Sequence, residues 1–181
     1  MRSVAAAYGQ IVTSENARPP FGGDERTLLM GWYDLQRSLV AWKCAGLDET
    51  LAHRSLLATS PLMTVAGIVS HLRWAEQTWF EVLFLGGSDD GPQFSDDPED
   101  ADMIVDGVPL AHLLDDYAAQ CVRSNEIIAA HSLDDVGRHP DFQSARASLR
   151  WMIIHMIEET ARHVGHLDIL REQLDGAVGY Y

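Results

Sequence analysis

An all-α four-helix bundle is the fold class that the sequence predicts, and two observations carry this prediction. Four long segments have apolar residues at three- and four-residue spacing, which is the period of a helix with one buried face. No segment alternates apolar and polar residues over more than a few positions, as half-buried strands do. A chain of 181 residues can bury a substantial core in one domain. We expect an N-terminal arm over 1–23 and the helical domain over 24–178.

The first two predicted helices have recognisable ends. Asp24 can cap the start of the first helix, after an arm broken by "ENARPPFGGD", and Gly46 is suited to stop it. Thr64 is the expected N-cap of the second helix, and Gly86 is expected to end it. Between these helices, "LDETLAHRSLLATSPLM" reads as a connector with room for one short helix.

The second half of the chain supplies a loop and two further helices. Acidic residues and turn formers dominate residues 86–108, which predicts a long surface loop with a solvated charged face. The third helix should begin near Pro109, because proline is favoured in a first helical turn. The fourth and longest helix should run from about Arg146 to Leu174, where Asp175 and Gly176 close it.

Composition limits the classes of function. A net charge of −14 excludes a non-specific nucleic-acid binder, because such binding rests on cationic contacts to phosphates. The sequence has neither a basic stripe for a membrane surface nor an apolar run of about 20 residues, and no signal-peptide pattern. We therefore expect a cytoplasmic protein. Cys44 and Cys121 match no metal or redox spacing, so we interpret them as buried, reduced thiols.

Three polar residues interrupt the apolar face of the fourth helix. At about 100° per residue, Glu159, His163 and His166 fall among apolar residues of the same face. Those residues are Met152, Met156, Leu170 and Leu174. A buried carboxylate needs a cation, a donor network or a proton, because burying it unpaired is very costly. Glu159 and His163 are one turn apart, so their side chains converge as two ligands of one metal ion would.

A third ligand is available on the second predicted helix. His71 lies on an apolar face there, and Gly67 and Ala75, one turn on either side, should leave room beside its ring. One imidazole on one helix and a Glu-x-x-x-His pair on another predict a facial metal site with two nitrogens and one oxygen. Such a site has open positions for water or substrate. The alternative is that Glu159 and His163 form a buried hydrogen-bonded couple without a metal.

The remaining histidines and the tryptophans carry weaker signals. His166 is a candidate fourth ligand or a supporting group, and His155 is expected to support the site or to pack. Four histidines near connectors and helix ends are expected at the surface: His53, His112, His131 and His139. Helical spacing favours core positions over pocket lining for the tryptophans: Trp32, Trp42, Trp74, Trp79 and Trp151.

The order of these motifs resembles the DinB-like superfamily. "GIVSHLRWAEQTWF", the acidic loop, a helix and "SLRWMIIHMIEETARHVGHLDILRE" are similar to the branch that contains mycothiol-dependent maleylpyruvate isomerase and mycothiol S-transferases, and within it to small single-domain members. The resemblance covers roughly residues 20–178. It implies an up-down-down-up four-helix bundle with a divalent metal held by His71, Glu159 and His163. His166 stands where the isomerase-like pattern tends to have an acidic residue.

The leading functional hypothesis is a divalent-metal-dependent enzyme that transfers a low-molecular-weight thiol to a small electrophile. The resemblance implies mycothiol or a similar thiol as cosubstrate, and zinc is the first choice of metal, with nickel, iron and manganese as alternatives. His166 would be the catalytic residue, as a proton acceptor or a water-orienting group. One alternative is a metal-dependent hydrolase that activates water, and another is a non-enzymatic stress or binding protein.

A homodimer is the expected assembly. Members of the resembled family are often dimers built through helix faces. The first helix adds Trp32, Leu39 and Trp42, which offer more apolar surface than one four-helix core would consume.

Overall fold

The computed structural model describes residues 18–93 and 98–179, and their regular structure is helical. Its long helices are α1 (Glu25–Cys44), α2 (Val65–Gln77), α3 (Leu110–Ala130) and α4 (Leu149–Asp175). A π-helix over Thr78–Phe84 continues α2, and single turns lie at Glu49–Ala52 (α), Ala101–Met103 and Gln143–Arg146 (both 3₁₀). Most of the predicted arm, residues 1–17, lies outside the described residues. Within the described ranges, no helix is both long and apolar enough to cross a membrane.

Local capping explains where these helices begin and end. The Asp24 side chain accepts the Thr27 N–H at 3.0 Å, and the Thr64 hydroxyl accepts the Gly67 N–H at 2.9 Å, which confirms both predicted N-caps. Gly46 and Gly86 have φ of 71° and 75°, the left-handed conformation that lets glycine end a helix. The fourth helix begins later than predicted, because Ser148 caps it after a separate 3₁₀ turn.

The contacts between helices fix their relative directions. α1 packs against α4, and α2 packs against both α3 and α4. Glu25 pairs with Arg150 where α1 and α4 begin, and Lys43 pairs with Asp168 towards their other ends, so these two helices run in the same direction. α2 runs the opposite way to α4, because its start at Val65 packs in one core cluster with Leu167 near the end of α4, whereas Ala75 near its end packs in another with Leu149. This packing is compatible with the four-helix bundle that the sequence predicts.

A buried ion pair joins α1 to α2 inside the packed helices. Arg37 donates to both carboxylate oxygens of Glu76 at 2.7 Å, and the Tyr33 hydroxyl donates to the same carboxylate at 2.6 Å. The Arg37 guanidinium also lies 3.6 Å from the centre of the Tyr33 ring and donates to Asn125 of α3. Glu76 is fully buried. Its charge is therefore compensated by fixed donors rather than by water.

None of the five tryptophans is fully buried, so the prediction of core positions is wrong for Trp32, Trp74 and Trp151, whereas Trp42 and Trp79 pack against the core at its rim. Trp32 and Trp151 are 41% and 50% exposed. The other three are half-buried: Trp42, Trp74 and Trp79. The buried core is built mainly from aliphatic residues, phenylalanines and two tyrosines. A large amphipathic ring is rarely buried completely, so helical spacing alone did not separate core from rim.

We predict that Arg37→Met lowers the free energy of unfolding by about 3–5 kcal/mol, because it leaves the Glu76 carboxylate buried without its cation. Arg123→Met is the matched control, since Arg123 makes exposed ion pairs with Glu81 and Glu126 and should change stability little. Urea unfolding of both variants measures the difference. Equal effects of the two substitutions would contradict a structural role for the buried pair.

Candidate metal centre

The structure brings the three predicted ligand residues together between α2 and α4. His71 Nε2 and His163 Nε2 each lie 3.2 Å from Glu159 Oε1. The three ligand atoms lie within 4.8 Å of one another, which is close enough for one ion to contact all of them. The side chains are only 11–18% exposed, so the cluster is largely, though not fully, shielded from water.

Helix geometry positions each of these side chains. Glu159 and His163 project from successive turns of α4, whose neighbouring face is anchored in the core by Met152 and Met156. His71 projects from α2 towards them. A Cβ at Gly67 would lie 2.4 Å from the Leu62 carbonyl oxygen, and none of its three nearest atoms would belong to the His71 ring. The small size of Gly67 lets the connector pass close to the start of α2.

Asp102 is a site residue that the sequence analysis missed. Its Oδ2 lies 2.7 Å from His71 Nδ1, and its side chain is only 4% exposed. Asp102 belongs to the 3₁₀ turn Ala101–Met103, which lies inside the acidic loop. Asp100, the residue before this turn, is in the left-handed conformation, with φ of 55°. Ser70 of α2 holds the turn by donating to the Asp102 carbonyl at 2.6 Å. The prediction of a solvated charged face is therefore wrong at Asp102.

The apolar neighbours of Asp102 are the signal that could have found it. Met103 packs against the core and Val105 is buried in it, so this part of the loop lies against the helices. Apolar neighbours that pack against the core keep a carboxylate close to the protein interior, whereas a carboxylate among other acids and turn formers can stay in water. That distinction was visible in "DADMIVDG", but the partner of the carboxylate was not.

Electrostatics in the cluster are dominated by two carboxylates facing one imidazole. Burial alone would lower the pKa of His71, but hydrogen bonds with Asp102 and Glu159 outweigh it and raise the pKa to about 9. Hydrogen bonds with His163 and then with His71 hold the pKa of Glu159 well below its usual range. Without an ion, the two acids thus favour the imidazolium form of His71, which bridges them. A bound metal would replace the proton on Nε2.

The residues present fit a divalent metal ion. The Nδ1–H of His71 donates to Asp102, which leaves Nε2 as the ligand atom and matches the carboxylate–histidine pairs common beside metal sites. Two imidazole nitrogens and one carboxylate oxygen suit zinc, iron, nickel or manganese. Three protein ligands would leave further coordination positions for small molecules.

His166 faces His163 rather than the point on which the three ligands converge. Its Nδ1 lies 3.5 Å from His163 Nδ1, and the two ring centres are 5.2 Å apart. Burial and then the neighbouring His163 and Arg162 lower the pKa of His166, which favours its neutral form. A neutral His166 can accept the Nδ1–H of His163 and keep its own proton on Nε2.

The structure leaves the other histidines outside this cluster. His155 lies one turn before Glu159 and contacts Trp79 and Trp151 instead. His112 is exposed, as predicted. The other three predicted surface histidines are half-buried rather than exposed: His53, His131 and His139. His131, for example, makes a 2.9 Å hydrogen bond with the Ile127 carbonyl and packs against Phe84.

A family model described as mycothiol-S-transferase matches residues 28–176, a range that includes all four helices except the first residues of α1. The cluster of His71, Glu159 and His163, together with Asp102, lies within the matched range. Neither the curated proteins nor the solved structures gave a match to the chain.

We predict that protein treated with a chelator loses stability as the pH rises from about 6.5 to about 9. The pKa of His71 is raised on folding, so its contribution is fully present below its unfolded value of 6.5 and is lost as the pH rises through the folded value of about 9. The loss should reach at most about 3 kcal/mol, at 1.36 kcal/mol per pKa unit.

Asp102→Asn is the control for this pH dependence, because the amide oxygen can still accept from Nδ1 but carries no charge. Urea unfolding at several pH values should show a smaller loss in this variant than in the wild type. The same pH profile in both proteins would contradict the assignment of the effect to the contact between Asp102 and His71.

Proposed function

Because the chain belongs to the mycothiol S-transferase family, we propose that it is a divalent-metal-dependent enzyme that transfers mycothiol, or a similar low-molecular-weight thiol, to a small electrophile. The observation that carries the metal dependence is the convergence of His71, Glu159 and His163 on one point, with Asp102 behind His71. We propose zinc as the first choice of ion, with nickel, iron and manganese as alternatives.

The cysteines of the chain support an external thiol as the nucleophile. Cys44 and Cys121 are both buried and free, as the sequence predicts. Burial raises the pKa of Cys44 to about 12 and also raises that of Cys121, so neither forms a thiolate readily near neutral pH. The reacting sulfur must therefore come from a cosubstrate.

The proposed reaction is a substitution at carbon. A divalent ion held by the three side chains would supply the positive charge that lowers the pKa of a thiol. A sulfur–carbon bond forms, and the bond from that carbon to its leaving group breaks, with the electron pair going to the leaving group. With a halide, the proton that the thiol has lost goes to water. With an epoxide, the ring oxygen is the leaving group and ends with that proton.

His166 is proposed to orient a reacting group through its Nε2–H. Its Nδ1 faces His163, and its lowered pKa favours the neutral ring. In that state the Nε2–H can donate to water or to the leaving group, whereas accepting a proton at Nδ1 would break the contact with His163. Of the two roles expected from the sequence, the geometry supports the orienting one.

We further propose an up-down-down-up four-helix bundle that forms a cytoplasmic homodimer. The parallel pair α1 and α4 and the opposite direction of α2 support this bundle. Trp32 of α1 and Ile154 of α4 are 41% and 50% exposed and support an interface between copies. Leu39 does not contribute, because it is buried in the core of its own chain. Two free, buried cysteines are the usual state in a reducing compartment.

We predict near-stoichiometric divalent metal in the wild type and its loss in Glu159→Ala and His163→Ala, because each substitution removes one of three ligands. Mass spectrometry of untagged protein measures the metal, and transfer of a thiol to a panel of small electrophiles measures the activity. His112→Ala is the matched control, since His112 is exposed outside the cluster. Metal-free wild type after incubation with divalent ions, or turnover without added thiol, would contradict the proposal.

We also predict that Asp102→Asn weakens metal binding by about 10- to 100-fold while the helices remain folded. The charge of Asp102 raises the basicity of His71 as a ligand and fixes which ring nitrogen carries the proton. Competition with a chromogenic chelator measures the affinity, and circular dichroism checks the fold. An unchanged affinity would show that Asp102 only stabilises the loop.

A further inference from the structure

One exposed stripe runs along α4 on the side that faces away from the core. Six residues of this helix are exposed between positions 151 and 169, and at about 100° per residue they fall within one arc of about 80°. They are Trp151, Ile154, Glu158, Arg162, Gly165 and Ile169. We refer to these six residues as the α4 stripe, which is about 27 Å long at 1.5 Å per residue.

Large apolar side chains lie near both ends of the α4 stripe. Trp151 and Ile154 are each 50% exposed, and Ile169 is 58% exposed. Single exposed apolar residues are common on protein surfaces, but several on one helix face indicate an interaction site. The α4 stripe therefore offers an apolar surface that the described part of the chain leaves uncovered.

The Trp151 ring is held in place by its own chain. It stacks on the His155 ring, with centres 5.4 Å apart and an angle of 17° between the planes, and it lies 5.7 Å from the Trp79 ring. A partner that covers Trp151 would therefore not have to order it, which lowers the entropic cost of association. The exposed half of the residue is the part left for such a partner.

One pair of opposite charges occupies the middle of the α4 stripe. Glu158 and Arg162 contact each other within the chain, so the stripe carries no net charge, whereas the whole chain has a net charge of −14. Two copies of such an acidic chain repel each other over most of their surfaces, but this repulsion is weak at a neutral stripe. Arg162 also lies 3.3 Å from Glu159 Oε2, so the stripe borders the candidate metal centre.

The order of residues along the α4 stripe is self-complementary. Trp151 and Ile169 lie nine residues before and after position 160, and Glu158 and Arg162 lie two residues before and after it. A two-fold axis at that position would place Trp151 against Ile169 of the partner subunit. It would also place Glu158 against Arg162 of the partner subunit. A parallel pairing in register would instead place each charge against its like.

The remaining two residues of the α4 stripe fit the same antiparallel pairing. Ile154 lies six residues before position 160 and Gly165 five residues after it, so Ile154 of the partner subunit would lie over Gly165. Within the described part of the chain, a Cβ at Gly165 would meet no atom from outside the local helix backbone within 4 Å. Beside Gly165, a groove of about 220 Å³ between α1 and α4 offers space for the isoleucine, and its lining includes Leu39, Trp42 and Ala161.

We propose that the α4 stripe binds a second copy of this chain, with the two α4 helices antiparallel and the two-fold axis close to position 160. This inference rests on the proposed homodimer for the second copy, and it adds the helix, the direction and the register of the interface. An interface one helix wide is at the small end of specific interfaces, which bury about 1,200–2,000 Å². The dimer should therefore dissociate on dilution.

The first test measures the dimer by sedimentation velocity over a range of protein concentrations. Ile169→Glu should raise the dissociation constant at least about 10-fold, because the new charge would face Trp151 of the partner subunit and each dimer contains the substitution twice. Val122→Glu is the matched control, since Val122 is 41% exposed on α3, and it should leave the dissociation constant almost unchanged. Circular dichroism checks that both variants are folded.

The second test determines the direction of the pairing by disulfide cross-linking. A mixture of Ile154→Cys and Gly165→Cys should form a cross-linked dimer under mild oxidation, whereas either variant alone should form far less. Cys44 and Cys121 are buried, so the introduced thiols are the accessible ones. A mixture of Val122→Cys and Gly165→Cys is the control and should not cross-link.

The outcomes separate this inference from the proposals that precede it. A dimer that Ile169→Glu does not weaken would overturn the α4 pairing and leave the homodimer standing. So would Ile154→Cys that cross-links to itself rather than to Gly165→Cys. A wild type that stays monomeric at every concentration would overturn both. Thiol transfer is measured separately by turnover, so its failure would leave the α4 pairing in place.

Discussion

The buried pair of Arg37 and Glu76 is the interaction on which the rest of the structure depends. It ties α1 to α2 where neither charge can reach water, and Asn125 of α3 joins the same network. A hydrophobic contact tolerates sliding and rotation, whereas a bidentate guanidinium–carboxylate pair has one good geometry. The rotation of α2 is set at Glu76, only five residues after His71. A fixed Glu76 therefore also fixes the direction in which His71 points.

A second group of charges lies on the other side of α2, and the two groups have opposite characters. The Glu76 carboxylate accepts hydrogen bonds from the Arg37 guanidinium, which stays charged, and from the Tyr33 hydroxyl, which stays neutral. Its surroundings therefore do not depend on a ligand. At Glu159 the donors are two imidazoles, and an imidazole nitrogen can carry either a proton or a metal ion. The first arrangement suits a structural role and the second suits a binding role, although both begin with a glutamate on an apolar helix face.

Features determined by a few neighbouring residues could be predicted from the sequence, and features determined by tertiary contacts could not. Asp24, Thr64 and Gly86 mark helix ends by local hydrogen bonds and backbone conformation, and the helical period placed Glu159 and His163 on one face. Asp102 was missed because its partner, His71, is far away in the sequence. The π-helix and the exposure of Trp151 were missed because both depend on how α2 and α4 meet.

The distance in sequence between the site residues also determines when the site can assemble. Glu159 and His163 become neighbours as soon as one turn of α4 forms, but His71 and Asp102 join them only after chain segments of many tens of residues have closed. At the proposed metal site, an ion that met the unfolded chain would therefore find at most a weak bidentate site. Its full affinity would appear late, with the native packing, so metal capture would follow the rate-limiting folding step rather than nucleate it.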